Sequence, residues 1–247
     1  MATGIARRTR TTAVVGGMAL LSVLLVGCED SITGGKEGAG GGSGQQPFGG
    51  GKGAKGDPTS FLLTAKDLPS DSGLAVGPTT TYPDPARAPG PKAAAQDPQC
   101  QVLLDMLDPG QAALPPAKAA SVDLTGKPYQ VTSLVEEYAP GQAQQLVATL
   151  TSAIAACHDT KSRAADGSWE YLGTVSFMTP TVGDGRVGYG LRWGSSRSEK
   201  KASVAVVQVG DRLVVVITRV NDQAGEAGST PDLALIRAQV KKLTGKD

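Results

Sequence analysis

The sequence predicts an α+β fold in which an antiparallel β-sheet meander packs against two or three α-helices, as an α/β sandwich. Apolar residues alternate with period two between residues 169 and 193, which is typical of half-buried strands. Two valine-rich segments, 202–209 and 212–220, are separated by Gly210-Asp211, a two-residue hairpin signal. Residues 140–157 instead carry apolar side chains at helical spacing. Because short connections join the late strands, we expect antiparallel pairing with helices on one or both faces of the sheet.

Three helices are predicted from their start signals and apolar spacing. Asp97-Pro98 combines an N-cap with a proline at the first helical position, and predicts a helix to about Leu107. The clearest helix is 140–157, whose apolar stripe consists of Ala143, Leu146, Val147, Leu150, Ile154 and Cys157. The last helix is expected to begin at Thr230-Pro231-Asp232, with a threonine cap and an acid near the positive end of the dipole. Its inward residues are predicted to be Leu233, Ile236, Val240 and Leu243.

Strand patterns account for most of the remaining chain. The predicted strands are Leu74–Val76, 119–124, 129–138, 169–177, 186–193, 202–209 and 212–220. Residues 78–97 are dense in proline and alanine, and therefore predict a long surface loop.

The first 27 residues have the composition of a bacterial secretory signal peptide. Arg7, Arg8 and Arg10 precede an apolar run from Ala13 to Val26. That run is shorter than the roughly 20 apolar residues that a bilayer-spanning helix needs. The sequence Leu25-Val26-Gly27-Cys28 resembles the lipobox of bacterial lipoproteins, whose cysteine receives a diacylglycerol before cleavage. The resemblance implies lipidation at Cys28 and attachment to the cell membrane on its extracytoplasmic face; an ordinary leader with an incidental cysteine is the alternative.

Composition divides the chain after Cys28 into a tether and one domain. Residues 28–58 are predicted to be the lipidated cysteine and a disordered tether, since residues 29–58 contain 12 glycines and few large apolar side chains. Residues 59–247 have the size of a single domain. Without residues 1–27 the chain has two more acidic than basic residues, so its charge does not predict binding to nucleic acid.

Two cysteines remain once Cys28 carries a lipid. In an oxidising compartment an even pair is expected to form a disulfide, here between Cys100 and Cys157. Closing the loop between them would stabilise the fold by about 4 kcal/mol in the chain-entropy model. Two separately buried thiols are the alternative.

The sequence contains no convincing catalytic, metal or cofactor motif. His158 is the only histidine and follows Cys157 directly, so on a helix the two side chains would point about 100° apart. A single histidine without a cysteine cluster does not predict a zinc site. Residues 183–188 match G-x-G-x-x-G, but strand alternation follows them, so a glycine turn is predicted. We therefore expect no enzyme activity, no metal and no cofactor.

Four aromatic residues on two successive strands are the candidate ligand-contacting groups: Trp169, Tyr171, Tyr189 and Trp193. Cross-strand aromatic pairs commonly stabilise sheets, so a place in the core is one interpretation. The other is the floor of a groove for a lipid, a glycan or a peptide. A solvated row on the opposite face is predicted for Arg186, Arg192, Arg212 and Arg219.

Three features together carry a resemblance to a known family. They are the stretch from Phe61 to Pro69 at the domain start, a helical Cys100, and the stretch from Ala153 to Cys157 that ends a helix before a strand meander. In these the chain resembles an actinobacterial lipoprotein related to the extracytoplasmic sensor domains of receptor Ser/Thr kinases and to cell-wall lipoproteins. The resemblance implies an α/β sandwich around an antiparallel sheet, a helix-to-helix disulfide and a cleft that binds an envelope ligand. The second disulfide of some kinase-attached members has no counterpart cysteines here.

The function predicted from these features is that of a membrane-anchored, extracytoplasmic lipoprotein with a non-catalytic, sensor-like binding domain. The expected partners are the membrane, through the lipid anchor, an envelope lipid, glycan or peptide, and an envelope protein. An envelope hydrolase or transferase with an unrecognised site and a structural scaffold of an envelope complex are the alternatives. A deep apolar pocket favours binding, converging carboxylates favour catalysis, and a flat apolar patch favours a scaffold.

Overall fold

A computed structural model of the chain describes six ranges: 55–82, 93–126, 129–164, 167–195, 198–220 and 232–245. The predicted signal peptide, Cys28 and the tether up to residue 54 lie outside the described residues. All the described residues belong to one compact unit, Pro47–Asp247. Among the described helices, none has the length and apolar character needed to cross a bilayer.

Nine antiparallel strands form one sheet within these ranges, in the order β1-β3-β4-β9-β8-β7-β6-β5-β2. The strands are β1 (Ala75–Tyr82), β2 (Ala94–Ala95), β3 (Lys118–Thr125), β4 (Tyr129–Glu137), β5 (Thr160–Arg163), β6 (Trp169–Ser176), β7 (Gly185–Ser195), β8 (Ser198–Val209) and β9 (Arg212–Val220). The helices are α1 (Gln101–Asp105), α2 (Gln142–Ala156) and α3 (Leu233–Thr244). The predicted α+β class is confirmed, and β6 to β9 form the predicted meander.

The hairpin between β8 and β9 forms where the sequence predicts it. Val209 pairs with Arg212, and Gly210 between them has a φ of +61°. That left-handed conformation costs a glycine little, which explains the residue at this position. The backbone N–H of Gly210 also donates to Asp184 Oδ2 at 2.7 Å, so the hairpin is fastened to the turn before β7.

The predicted surface loop at 78–97 is wrong at both of its ends. β1 continues to Tyr82 through Pro78, with a change of register between Val76 and Thr79. Proline is tolerated there because β1 is an edge strand and the ladder is irregular at that point. β2 and the polar strand β5 pair with each other at the opposite edge, and neither has the apolar alternation that predicts a strand.

Helix α1 is shorter than predicted, but it begins with the predicted signal. The side chain of Asp97 accepts a hydrogen bond from the N–H of Gln99 at 3.1 Å and caps a 3₁₀ turn, Pro98–Cys100, that leads into α1. The α-helix then ends at Asp105 rather than near Leu107.

Helix α3 begins two residues later than the sequence predicts, because its N-cap is Asp232 where a threonine cap at position 230 was expected. Asp232 is the N-cap and accepts from the N–H of Ala234 at 2.8 Å, whereas Thr230 lies outside the described residues. With Asp232 as the cap, Leu233 is the first helical residue and is 40% exposed. Leu235 takes the inward position that was predicted for Leu233.

The helices divide between the two faces of the sheet and create two cores. The first face carries α1 and α2, whose apolar residues share a core with Leu213, Val215 and Ile217 of β9. The second face carries α3 and the segment Pro58–Leu63, which pack on Val214 and Val216. Alternate residues of the same strand thus enter different cores, so the central strands are apolar on both sides.

A disulfide links Cys100, directly before α1, to Cys157, directly after α2. The two cysteines are 57 positions apart, and their Cα atoms are separated by 5.9 Å. The predicted bridge is therefore confirmed, and it ties the two helices of the first face together.

The predicted row of solvated arginines is wrong for two of its four members. Arg212 is 8% exposed; its Nη2 donates to Glu137 Oε2 at 2.7 Å and to the carbonyl of Gly56. Arg219 lies on the first face and donates to Thr132 Oγ1 at 3.2 Å. An odd separation of seven residues places these two side chains on opposite faces of β9.

The contact between Arg212 and Gly56 bears on where the domain begins. Asp57 caps the 3₁₀ turn Pro58–Phe61, and the guanidinium of Arg212 lies 4.8 Å from the centre of the Phe61 ring. The described contacts of the domain therefore begin before residue 59, in the last residues of the predicted tether.

Candidate functional site

A cavity of about 320 Å³ lies between α1 and α2 on the first face; we call it the cleft. Its walls are mainly apolar, with Val102 on α1, Met106 directly after it, Leu114 on the following loop and Leu146 on α2. The cleft is more enclosed than the larger cavities of about 580 and 840 Å³ elsewhere on the described surface. An apolar cavity of this size falls at the small end of ligand-binding sites.

Two polar side chains from β4 and the residue after it lie in the cleft, Glu136 and Tyr138. They are 1% and 5% exposed, and they follow Leu134 at every second position on the first face. The phenol of Tyr138 donates to Glu136 Oε2 at 3.0 Å. Strand periodicity thus brings a carboxyl group into a cleft whose walls are mainly apolar.

Burial is the largest cause of the pKa shifts of Glu136 and Tyr138. It raises the pKa of Glu136 from 4.5 to about 7, although the hydrogen bond from Tyr138 acts in the opposite direction. Burial, followed by the nearby charge of Glu136, also raises the pKa of Tyr138 above its ordinary value. The phenol therefore stays protonated at neutral pH and remains a donor to the carboxyl group.

Asp105, at the end of α1, is the second carboxyl group of the cleft and is 5% exposed. Its Oδ1 accepts from Gln101 Nε2 at 2.7 Å, and its Oδ2 accepts from the backbone N–H of Ala113 at 2.7 Å. Asp105 thereby holds the loop that forms one wall of the cleft against α1.

The disulfide and Tyr189 hold α1, which forms one wall of the cleft, in its position. Tyr189 is fully buried, and its hydroxyl donates to the carbonyl of Leu103 at 3.1 Å. Burial is the main cause that raises the pKa of Tyr189, and the charges of Glu136 and Asp105 add to it. Both carboxyl groups therefore act on the same region of the first core.

The structure does not bring the four predicted aromatic residues together in one groove. Tyr189 lies in the core, and Trp193 packs against the same core from the first face. Tyr171 is 44% exposed on the second face. Its neighbour Leu172 pairs with Trp193 and lies on the first face, so alternation along β6 places Tyr171 on the other face. The side chain of Trp169 lies outside the described residues.

Glu136 and Tyr138, like Asp105, line the cleft and were not predicted from the sequence. In β4 both sets of alternating residues mix polar and apolar side chains, so the pattern does not show which set faces the core. The available signal was an acidic residue and a tyrosine in the same register as Leu134, which is unusual for a strand that packs under a helix.

The motifs without a predicted role also have clear positions. His158 is exposed beside the open cavity of about 840 Å³, and Cys157 before it is bonded to Cys100. Gly183 has a φ of +73° in a turn, and β7 begins at Gly185, as expected for a glycine turn. Among the described residues, no group of three or more His, Cys, Asp or Glu is placed to hold a metal ion.

Comparison with known proteins identifies the fold. No family model matches the chain, and no curated protein matches it in sequence. The extracellular domain of PknH from Mycobacterium tuberculosis superimposes with a TM-score of 0.50 and 12% identity, over 82% of this chain and 97% of that chain. An uncharacterized protein from Mycobacterium smegmatis, the Rv0999 ortholog, gives a TM-score of 0.42 and 13% identity, over 70% of this chain and 90% of that one. At 12% identity, the likeness to the PknH domain shows that the two chains share a fold.

Proposed function

We propose that this chain is a membrane-anchored, extracytoplasmic lipoprotein whose domain binds a small ligand in the cleft between α1 and α2 and has no catalytic role. The observation that carries the proposal is the buried Glu136–Tyr138 pair in a cavity whose walls are mainly apolar. A few polar groups within apolar walls are what small-molecule sites generally contain. The lipobox-like sequence at Cys28 supports the anchor, and the extracellular location of the PknH domain with this fold supports the compartment.

A catalytic role for the cleft is the main alternative, because two carboxyl groups line it. A pair of carboxyl groups can act as a general acid and a general base. Asp105, however, accepts two hydrogen bonds of 2.7 Å that hold the cleft wall, and Glu136 accepts one from Tyr138. These bonds give Asp105 a structural role, which favours binding over catalysis.

Native mass spectrometry of the full chain, purified from the envelope of its own host, tests the proposal. We expect an additional mass that is retained by the folded protein and released on unfolding. Val102→Trp should displace it by filling the cleft, whereas Gln144→Trp on the exposed side of α2 should leave it in place. An empty wild-type domain, or a ligand retained equally by both variants, would contradict binding in the cleft.

A further inference from the structure

We infer that the cleft selects a ligand with a cationic ammonium head and an apolar body, with Glu136 as the group that binds the head. This inference rests on the proposed binding function and adds the chemical class of the ligand. It starts from the charges around the cavity. Of the described residues that line the cleft, Asp105 and Glu136 are acidic, and none is a lysine, an arginine or a histidine.

Among the described residues, Tyr138 fills only part of the acceptor capacity of Glu136. An ionised carboxylate can accept about four hydrogen bonds. Within the described ranges, this carboxyl group accepts a hydrogen bond from the phenol of Tyr138, at Oε2. The side chain is almost wholly buried, yet it lines the cavity, so its remaining acceptor capacity is available to a molecule inside the cleft.

The energetic cost of the buried charge points to a cation. Removing a carboxylate from water without a counter-charge is unfavourable, and the raised pKa of Glu136 reflects that cost. An ammonium group in the cleft would supply the missing counter-charge and would form a charge-assisted hydrogen bond. An anionic head would instead face two carboxyl groups in a region of low dielectric constant.

The walls determine the rest of the ligand. Val102, Leu114 and Leu146 offer apolar contacts, and Met106 adds a side chain that adapts to irregular shapes. A volume of about 320 Å³ admits a small molecule but excludes a folded polypeptide. A short amphiphilic amine matches both the charge and the walls.

A head-group series at constant chain length tests the inference. Residues 29–247, which contain the whole compact unit Pro47–Asp247 and lack the apolar leader and Cys28, are titrated by calorimetry at pH 8 with n-octylammonium, n-octanol and octanoate. We expect n-octylammonium to bind at least tenfold more tightly than n-octanol, and octanoate to bind most weakly. In Glu136→Gln, which keeps the shape and the contact with Tyr138, the preference for ammonium over alcohol should fall to less than threefold.

The outcomes separate this inference from the proposed function. Equal or weaker binding of n-octylammonium relative to n-octanol overturns the inference, and so does an undiminished ammonium preference in Glu136→Gln. If Glu136→Gln does not fold, the comparison of the three probes on wild type still tests the preference for an ammonium head. If n-octanol binds to wild type and to Gln144→Trp but not to Val102→Trp, the cleft is a binding site whatever head group it prefers. Binding that Val102→Trp leaves unchanged places the probe outside the cleft and also contradicts the proposed function.

Discussion

The phenol of Tyr138 donates a hydrogen bond of 3.0 Å to Oε2 of Glu136, two residues earlier in the chain, beside the cleft between α1 and α2. Residues two apart on a strand share a face, so both side chains enter the first core among Leu134 and its apolar neighbours. The pair leaves a titratable carboxyl group where most strands of this type would place an aliphatic side chain. Its protonation therefore links the stability of the fold to pH.

We predict that the stability of the domain falls as the pH rises from about 4.5 to about 7. Because burial raises the pKa of Glu136 to about 7, the folded state keeps a proton that the unfolded state releases near pH 4.5. Between these values the unfolded state binds fewer protons, so the free energy of unfolding decreases, by about 3 kcal/mol for a shift of this size. Asp105, Tyr138 and Tyr189 are the other titratable groups nearby, and both tyrosines stay protonated in this range.

Urea unfolding of wild type and Glu136→Gln across this pH range measures the effect. Other groups titrate in both proteins, so the difference between the two is the informative quantity. The glutamine variant should become relatively more stable as the pH rises. Parallel pH profiles would show that Glu136 does not carry the effect.

We predict that the Cys100–Cys157 disulfide accounts for much of the stability of the first core. Loop closure over 57 positions corresponds to about 4 kcal/mol in the chain-entropy model. The double variant Cys100→Ala, Cys157→Ala should lose up to that amount in urea unfolding, and reductant should have no further effect on it. The intact mass of denatured wild type should rise by two hydrogens on reduction; free thiols in the unreduced protein would contradict the bridge.

We predict that Arg212→Gln destabilises the domain by about 2 kcal/mol. The substitution breaks the ion pair between the buried Arg212 and the partly exposed Glu137, and it removes the arginine donor to Gly56. Arg186 is exposed on β7, so Arg186→Gln is the matched control and should change the free energy of unfolding by less than about 0.5 kcal/mol. Thermal or urea unfolding compares the two variants. Equal effects would mean that the buried contacts of Arg212 contribute nothing specific.

We predict that Cys28→Ala removes the lipid modification. A diacylglyceryl group supplies two acyl chains, which is enough for stable anchoring, and the substitution removes the thiol that would carry it. Growth of the host with a radioactive fatty acid should label wild type and the nearby control Ser31→Ala, but not the variant. A Cys28→Ala protein that carries as much label as wild type would refute lipidation at this residue.

Local patterns were sufficient for the elements whose partners are near in sequence. Strands β6 to β9 follow one another through short connections, so each strand finds its partner at the next turn. Gly210 and the apolar stripe of α2 are likewise readable from a few residues, and the two cysteines left after Cys28 were enough to predict the bridge.

The errors lie where a residue's environment comes from distant parts of the chain. Thr160–Arg163 has no strand pattern and is a strand because the backbone of β6 and β2 is available on both sides. Arg212 is buried because Gly56 and Phe61 cover it, more than 150 positions earlier in the chain. No local pattern carries that information, since the covering segment is not the neighbour in sequence.

The candidate site likewise combines features that the local sequence predicts with features that depend on distant parts of the chain. Composition and periodicity predicted the α+β domain and the pair of bridging cysteines, and they are also the basis for proposing a secretory leader, because each of these depends on residues read in order. Only the tertiary structure decided that Tyr171 and Tyr189 lie on opposite faces and that Glu136 lines an enclosed cleft. The reason is physical. On a strand that is buried on both sides, alternation separates two faces but does not say which helix covers each of them. The packing of those helices sets the burial, and therefore the charge state, of the side chains in the site.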